Sequence, residues 1–563
     1  MIHDRLSPAS RAGKHIFIGF LGLAPQALCC RSLRELCLRL LRGLSKSLDQ
    51  NPYLGTLGVF LGAGLATLNG RLISVGLPDL RGAMGLGIDE ASWIPTSYNM
   101  ALMFIGPFSV FVGGLLGARR VLLYSGLIFI LCSILLPFSP NLKVMLCLQV
   151  ISGLSSGTFY PLTLSYALRA LPIRFVIYAI GAYSIDIVGA TSIGTALEAW
   201  YIDHLSWHWV FWQSVVLTPL MMLCVYLAIP PQPPRSGPKP ALSWRGFLYG
   251  SLALSLIYGA LDQGERLDWL NSGVIVGLLL SGAFLLVVTV IRRWLSPNPL
   301  VNPIFLVNRN TAILAASLFS FRFVMLAIAL LLPAVLGVTQ QYRPLETGRV
   351  LLWLIPSLVL MGFIAARLMR RVDNRLVLAS GFTVVAVTCL LNAQLTSSWS
   401  GDNFFISQIV IGLGLPLAFT ALVGSIVQNS FDSGALASPM NILTYSAFIH
   451  SVRLLGGETG TAVMQRLISV RERFHSNMIG LHVDSGHWLL SERVAGLAHA
   501  IFSNSAGSDE AQQRAVVVLG GQVRLQAYAL AYSDAYLTIA LVAALAIILI
   551  AFMKPMKIYF DEN

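Results

Sequence analysis

Long apolar segments separated by short polar loops constrain this sequence more than any other feature. The segments 175–202 and 531–553 are each longer than the roughly 20 residues that an α-helix needs to cross the hydrocarbon core of a bilayer. About a dozen more segments of this kind occur along the chain. Hydrophobic residues make up 56% of the sequence and charged residues 11%, whereas soluble domains carry about 25% charged residues. Because the core of a soluble protein cannot accommodate so many such segments, the sequence predicts an all-α, polytopic membrane protein.

Turn residues and charges divide the apolar sequence into fourteen predicted spans. The spans are 53–77, 92–116, 121–136, 144–171, 175–202, 210–229, 247–261, 274–291, 312–336, 350–368, 376–391, 404–427, 442–467 and 531–553. The seventh is short and the thirteenth carries charge, so these two depart most from the pattern of an apolar span.

Basic residues are concentrated in alternate loops. Arg119 and Arg120 follow the second span, and Arg292 and Arg293 follow the eighth, whereas the intervening loops are acidic. Since positive charge marks the cytoplasmic side, we expect a multi-pass protein of the cytoplasmic (inner) membrane with both termini inside. The net charge of +13 is then explained by topology and anionic lipid, and it requires no nucleic-acid partner.

Composition changes along the chain predict four regions. Residues 1–52 form a basic cytoplasmic segment, which either lies on the inner membrane surface as an amphipathic helix or precedes the true start of translation. Residues 53–229 form an amino-terminal six-helix bundle. Residues 230–311 hold a proline-rich linker and two extra transmembrane helices. Residues 312–563 form a second six-helix bundle, with an outside loop at 468–530.

Several motifs resemble those of one transporter family. The sequence LNGRLISVGLPDL begins at Leu68, GGLLGARR follows the second span, and VRLLGGETGTAV begins at Val452. Together with the six, two and six arrangement of spans, these motifs resemble the fourteen-helix drug:proton antiporter branch of the major facilitator superfamily. The resemblance implies the major facilitator fold and proton-coupled export of small amphipathic organic molecules by alternating access. It also implies that two cytoplasmic turns close the inner gate; their residues are Gly117, Arg119, Arg120, Gly362, Asp373 and Arg375.

Four positions matter because they keep or depart from the family motifs. Asn69 stands where the family usually has Asp, and Gln149 stands in the position of a motif arginine. In the antiporter motif of the fifth span Gly194 is kept, but Thr195 replaces Pro. Both charged residues of the family motifs are replaced by amides, at Asn69 and Gln149, so neither charge is left buried without its partner. We therefore expect the two amides to form a pair.

Ionisable side chains within the predicted spans are the candidate site residues. A charge at the bilayer centre costs about 2.5–3.5 kcal/mol on insertion scales, so such residues usually line a cavity or bind a partner. These residues are Arg71, Asp186, Glu198, Arg322, His450, Arg453 and Glu458. Arg71 needs a counter-ion, and Asp186 or Glu198 would supply it; alternatively either acid is satisfied by a hydroxyl group or water.

A proton-driven exporter needs a titratable group that alternates between the two sides. Asp186 is the first candidate. Glu458 is the second, although a structural pair with Arg453, five residues earlier, would remove it from this role. His450 is either a proton carrier or an interior hydrogen-bonded histidine. Arg322 either attracts an anionic substrate or bonds to backbone carbonyls of a neighbouring helix.

Other functions lack sequence support. No G-x-x-x-x-G-K-[ST] motif occurs, which argues against an ATP-driven pump in this chain. No compact set of residues has metal-ligand spacing, so we expect no metal, no cofactor and no enzyme activity. A transport-deficient sensor or partner subunit is the main alternative, and a membrane-embedded enzyme is a more remote one. The expected partners are a small organic substrate, protons, the lipid bilayer and a membrane-fusion protein.

Overall fold

The computed structural model describes residues 52–162, 173–230, 244–295, 308–432, 439–482, 488–502 and 507–555. Within these ranges the regular structure is helical and contains no strand, which confirms the predicted all-α class. The basic amino-terminal segment before Pro52 and the centre of the proline-rich linker, 231–243, lie outside the described residues.

Fourteen long helices account for most of the described residues. They are α1 (Pro52–Val75), α2 (Trp93–Leu116), α3 (Ala118–Leu135), α4 (Leu142–Ser156), α5 (Ile173–His204), α6 (Trp209–Ala228), α7 (Trp244–Gly264), α8 (Gly273–Leu295), α9 (Arg309–Thr339), α10 (Pro344–Leu352 and Leu354–Leu368), α11 (Asn374–Asn392), α12 (Phe405–Asp432), α13 (Pro439–Gly480) and α14 (Ser508–Ala551). Shorter helical segments are Leu77–Met84, Ile88–Ala91, Leu136–Phe138, Trp269–Asn271, Gly401–Phe404 and Trp488–Ile501.

Each predicted span overlaps one of these helices, although the end of the fourth, 163–171, lies outside the described residues. Among the described residues, eleven helices are long and apolar enough to cross a membrane, and α2, α7 and α13 are the other three. The two spans that departed from the apolar pattern are both helical, since α7 has 21 residues and α13 has 42.

The structure differs from the sequence prediction in the region 468–530. Residues 468–480 continue α13, and residues 508–530 form the beginning of α14. Polar contacts join these two extensions. Asp534 accepts bonds from Arg471 at 2.6 Å and His475 at 2.7 Å, and Arg524 binds Glu472 at 3.3 Å. These ion pairs explain why polar sequence remains helical beyond the apolar segments.

Packing separates the helices into two groups with two shared interfaces. Helices α1–α6 surround one apolar core, and α9–α14 surround a larger core that also takes one face of α5. Between the groups, α5 packs against α10 and α2 packs against α13. The extra helix α7 contacts α8, and it also contacts both α2 and α13. It therefore lies beside one of the two interfaces.

The interface between α5 and α10 depends on glycine. A Cβ atom at Gly181 would lie 2.6 Å from the carbonyl oxygen of Gly362, and one at Gly362 would lie 2.5 Å from Ile185 Cγ1. Both distances are shorter than van der Waals contact. The two backbones thus approach as closely as they do because neither residue has a side chain, as in other small-residue helix contacts.

Candidate substrate and proton site

Two buried arginines lie where the two helix groups meet. Arg453 of α13 is 6% exposed; its Nη1 donates to the Tyr183 hydroxyl at 3.3 Å, and its guanidinium lies 3.8 Å from the ring centroid of Tyr160. Arg322 of α9 is 5% exposed, and its Nε donates to the backbone carbonyl of Arg453 at 3.3 Å. Arg322 thus forms a backbone-carbonyl bond to a neighbouring helix, but through Nε alone, so its terminal nitrogens remain available to an anion.

Neither of these guanidinium groups has an ion-pair partner. In the part of the chain that the structure describes, no carboxylate oxygen lies within 4.0 Å of Arg322 or Arg453. Arg453 Nε is buried and donates to no acceptor in the described residues. The alternative of a structural pair between Glu458 and Arg453 is not realised, because Glu458 faces different partners, described below. The centre carries two positive charges that the surrounding side chains do not neutralise.

Aromatic rings surround the two arginines and connect the helix groups. The Tyr183 ring of α5 lies 6.3 Å from that of Phe60 and 5.7 Å from that of Phe419 on α12. Phe419 in turn stacks on Phe321 of α9, with centroids 4.9 Å apart. Tyr160 lies 5.7 Å from Tyr183. Flat apolar surfaces with two guanidinium groups among them suit an amphipathic organic molecule.

His450 and Asp186 line the same region from opposite groups. His450 of α13 is 1% exposed, lies 5.6 Å from the Tyr160 ring, and packs so closely on Gly106 of α2 that a Cβ there would collide with its ring. Asp186 of α5 packs in the same way on Gly64 of α1, and its Oδ2 is buried with no hydrogen-bond partner. A buried carboxylate oxygen without a partner is costly when charged.

Arg71 has partners other than the two expected acids. Its Nη2 donates to Thr195 Oγ1 at 3.3 Å and to the carbonyl oxygen of Ala329 at 3.1 Å. Its side chain packs on Gly194, where a Cβ would lie 2.8 Å from Arg71 Cγ. The predicted ion pair of Arg71 with Asp186 or Glu198 is thus not formed; a hydroxyl group and a backbone carbonyl take the bonds of Nη2, while Nε is buried without a partner among the described residues. The bond to Ala329 joins α1 to α9, across the two helix groups.

Glu198 lies in a separate, acidic environment. It is fully buried and packs against Gly76, where a Cβ would lie 3.0 Å from its Oε1. The nearest charged side chains are those of Asp79 and Asp203, both acidic. Glu198 therefore does not belong to the central group of residues.

The expected amide pair of Asn69 and Gln149 is also wrong. Asn69 Oδ1 accepts a bond from Ser214 Oγ of α6 at 3.1 Å. Both polar atoms of the Gln149 side chain are buried without a hydrogen-bond partner. The two amides thus have different environments, and the loss of both family charges did not create a contact between them.

A polar junction between α7, α2 and α13 was not predicted from the sequence. The carboxyl groups of Asp262 on α7 and Glu458 on α13 lie close enough to interact, and Tyr258 lies beside Glu458. Thr96 of α2 donates its hydroxyl hydrogen to Asp262. Because ionised carboxylates only accept hydrogen bonds, these two carboxyl groups can bond to each other only when one of them holds a proton. The sequence interpretation had assigned Asp262 to an acidic outer loop.

The same helix end holds further polar links to both neighbours. Gln263 Nε2 donates to the Ser92 carbonyl at 3.1 Å, beside α2. Arg266 binds Asp89, and Arg466 of α13 binds Glu265 at 3.7 Å. One end of α7 thus connects the two helix groups through side chains, which an apolar membrane anchor would not do.

The predicted gating turns are compact and polar. Gly117 has φ of 87°, a backbone conformation that favours glycine, at the turn between α2 and α3. Arg119 lies 4.6 Å from the Tyr226 ring centroid, while Arg120 is exposed.

In the turn between α10 and α11, Asp373 binds Arg375 at 2.7 Å, and the hydrogen bonds from Arg375 hold the pKa of Asp373 below its usual range. Arg375 also donates to the Met553 carbonyl at 2.8 Å. This second turn bridges neighbouring helix ends, as the family resemblance implied.

Comparisons with known proteins agree with this architecture. A family model described as Major Facilitator Superfamily matches residues 59–455. The probable multidrug resistance protein EmrY of Escherichia coli K12 is 26% identical over 437 residues, covering 76% of this chain and 82% of that protein. The multidrug export protein EmrB of Haemophilus influenzae is 25% identical over 434 residues, covering 76% and 83%. The solved structure of the proton:xylose symporter XylE covers 90% of this chain and 96% of its own, with a TM-score of 0.55 and 10% identity, so it supports the fold alone.

Proposed function

The chain belongs to the Major Facilitator Superfamily, and from this premise we propose that it is a secondary transporter that exports small amphipathic organic molecules in exchange for protons. The observation that carries this proposal is the buried group of Arg322, Arg453, Tyr160 and Tyr183, which lies between the two helix groups where alternating access would expose it to either side. The similarity to multidrug export proteins supports the direction of transport.

Two carboxyl sites are the proposed proton carriers. Asp186 lies in the central region, one helical turn from Tyr183, and its Oδ2 has no hydrogen-bond partner. The pair Asp262 and Glu458 brings two carboxyl groups together where they could share a proton, and Asp262 also accepts a bond from Thr96 of α2. Exchange requires that substrate and proton compete for the same states of the protein. At Asp186, a proton would compete with substrate inside the central site. At the pair of Asp262 and Glu458, a proton would instead control the contact between α2 and α13.

Transport by purified protein in vesicles tests the proposal. We would impose a pH gradient and follow one anionic and one cationic fluorescent reporter, with and without nigericin in potassium buffer to collapse the gradient. Gradient-dependent accumulation of either reporter is expected. Folded protein that moves neither reporter would favour the alternative of a sensor or partner subunit.

The Asp186→Asn and Glu458→Gln variants, measured with a pH-sensitive dye inside the vesicles, identify the proton carrier. The variant at the coupling site should move substrate only down its own gradient and should no longer move protons. If both variants keep wild-type proton movement, neither residue is the carrier.

The topology and division of the chain are further proposals. We propose an inner-membrane protein with both termini cytoplasmic, in which residues 53–229 and 312–563 form the two bundles and 230–311 the linker and extra helices. The distribution of Arg119 and Arg371 in loops on one predicted side supports this. Single cysteines at these two positions should react with a membrane-impermeant thiol reagent only after the inner side is opened.

A membrane-fusion protein is the proposed partner. The polar extensions of α13 and α14, with the short helix Trp488–Ile501, present exposed apolar side chains beyond the apolar spans; Trp488 is 66% and Val517 73% exposed. Exposed apolar residues of this size are typical of interaction surfaces. A membrane-fusion protein encoded beside this gene should copurify with the wild-type chain and be lost with Val517→Glu. Copurification unchanged by that substitution would remove this surface from the proposal.

A further inference from the structure

We infer that the central site selects amphipathic organic anions, with the negative group between Arg322 and Arg453 and the apolar part against the aromatic rings. This inference rests on the proposed export function and specifies its substrate class. It begins from the charge balance at the site. Both guanidinium groups are at least nine-tenths buried, and in the described residues no carboxylate lies within 4.0 Å of either.

Burial without a counter-ion is the central argument. An isolated charge in a membrane interior costs free energy unless it is paired or hydrogen-bonded. Arg322 is satisfied only by a carbonyl oxygen and a weak contact of Nη1 with Met325 sulfur at 3.6 Å, and Arg453 Nε has no partner. The two arginines also repel each other. A bound anion would supply the missing acceptors, because guanidinium groups bind carboxylate, sulfonate and phosphate oxygens directionally.

Neighbouring acids do not replace that anion. Glu458 lies one and a half turns from Arg453 on α13, but its carboxyl group faces Asp262 and Tyr258. Asp186 faces Gly64 on α1, with one oxygen unpartnered, so it contributes a negative charge without bonding either arginine. Two positive charges against one unpaired acid leave the site positive. A cation would therefore meet repulsion from both guanidinium groups.

The aromatic surroundings distinguish an organic anion from an inorganic one. The Tyr183 ring of α5 lies near the rings of both Phe60 on α1 and Phe419 on α12. An inorganic anion would gain little from these surfaces. A molecule with an aromatic or aliphatic body gains hydrophobic burial there, while its charged end reaches the arginines.

A charge series with one apolar body tests the inference. The probes are 2-naphthoate, 2-naphthalenemethanol and 2-naphthylmethylammonium, and their dissociation constants are measured by calorimetry on the full chain in detergent. We expect naphthoate to bind at least about tenfold more tightly than the alcohol, since hydrogen bonds to an ionised group are stronger than those to a neutral one. The ammonium compound should bind most weakly. Equal or tighter binding of the alcohol or the ammonium compound would overturn the inference.

Variants of Arg453 test whether the preference arises at this arginine. Arg453→Gln should remove the preference for naphthoate over the alcohol, while Arg453→Lys should keep part of it. Arg493→Gln is the matched control, because Arg493 is exposed on the short helix Trp488–Ile501. If Arg453→Gln does not fold, Tyr183→Phe removes one hydrogen-bond partner of Arg453 without altering charge and should change naphthoate affinity but not alcohol affinity. A naphthoate preference that survives Arg453→Gln would refute the assignment.

Controls separate this inference from the proposed function. Binding does not require transport, so selective naphthoate binding by a protein that exports nothing would contradict export while leaving the site intact. Export of a cationic reporter combined with weak naphthoate binding would leave export intact and overturn the substrate class. Chloride that competes with naphthoate at equal concentration would show an inorganic anion site instead.

Discussion

Substituting Gly181 by alanine tests whether the α5 and α10 backbones must approach as closely as they do. The added Cβ would lie 2.6 Å from the carbonyl oxygen of Gly362 and 3.2 Å from Ala366 Cβ. Since ordinary contact begins at 3.4 Å, α10 must move away along much of its length. The obstacle is backbone, which cannot rotate away as a side chain can. Overpacking of this kind costs about 1–3 kcal/mol.

This cost falls on every conformation that keeps the two helices in contact. A change of about 1–3 kcal/mol shifts the ratio of two conformations by about 5- to 150-fold. We expect Gly181→Ala to lower the transport rate in vesicles at least fivefold and to lower the thermal unfolding midpoint in detergent. Gly362→Ala should have a smaller effect, because its new Cβ first meets the flexible Ile185 side chain.

The matched control for Gly181→Ala is Gly277→Ala on α8. A Cβ at Gly277 would meet no atom within 4 Å. This substitution should leave transport unchanged and leave stability equal or slightly raised, because alanine favours helix. If Gly181→Ala had the transport rate and stability of the wild type, the reasoning would be refuted, because the interface would then accommodate a Cβ atom at this position.

Three further outcomes are expected. Asp262→Asn should keep the contact with Glu458 through its amide N–H but remove one titratable proton. The transport rate between about pH 5.5 and 8 should then vary less with pH than in the wild type. A pH profile equal to that of the wild type would contradict the shared proton. Arg71→Ala should reduce the transport rate about tenfold, because it removes charge-assisted bonds of about 1.5–3 kcal/mol. Arg71→Lys should have an intermediate rate. Equal transport rates in the two variants would count against a role for the bond from Arg71 to Ala329 between the helix groups. Asp373→Asn should lower stability by at most about 1 kcal/mol, because both members of the ion pair are partly exposed. Arg375 lowers the pKa of Asp373 in the folded protein. The ion pair therefore contributes fully to stability above the unfolded pKa of about 4, and its contribution is lost only as pH falls through the folded pKa. The difference in unfolding midpoint between Asp373→Asn and the wild type should thus be the same at about pH 6 and pH 8.

The sequence predicted the helices well because length and apolarity are local properties. A segment near 20 apolar residues can cross lipid only as a helix, so the fourteen helices could be located without any tertiary information. The helical extensions of α13 and α14 were not predicted. Their polar sequences gain stability from ion pairs across the two helices, such as Arg471 with Asp534.

Pairing of side chains was much harder to predict. The sequence identified Arg322, Arg453 and Asp186 as buried charges, but the expected partner of Arg71 was wrong because a carbonyl oxygen and a hydroxyl group replaced the acid. Asp262 was missed because it follows a short apolar segment and resembles a loop residue. Its contact with Glu458 depends on where α7 packs, and spacing along the chain contains no information about that. The only signal in the sequence was that Asp262 directly follows the predicted seventh span, 247–261, which is shorter than a helix needs to cross the membrane.

The low burial of α8 has a consequence for the architecture of the whole chain. Only 11% of its most apolar window is buried, and Leu280 and Phe284 are each 66% exposed. Helix α8 lies beside α7 on the lipid side, and the polar end of α7 faces Thr96 and Glu458. Excising the helix pair to obtain a twelve-helix protein would leave that hydroxyl and that carboxyl group facing hydrocarbon. A functional shortened chain would therefore need apolar replacements at both positions.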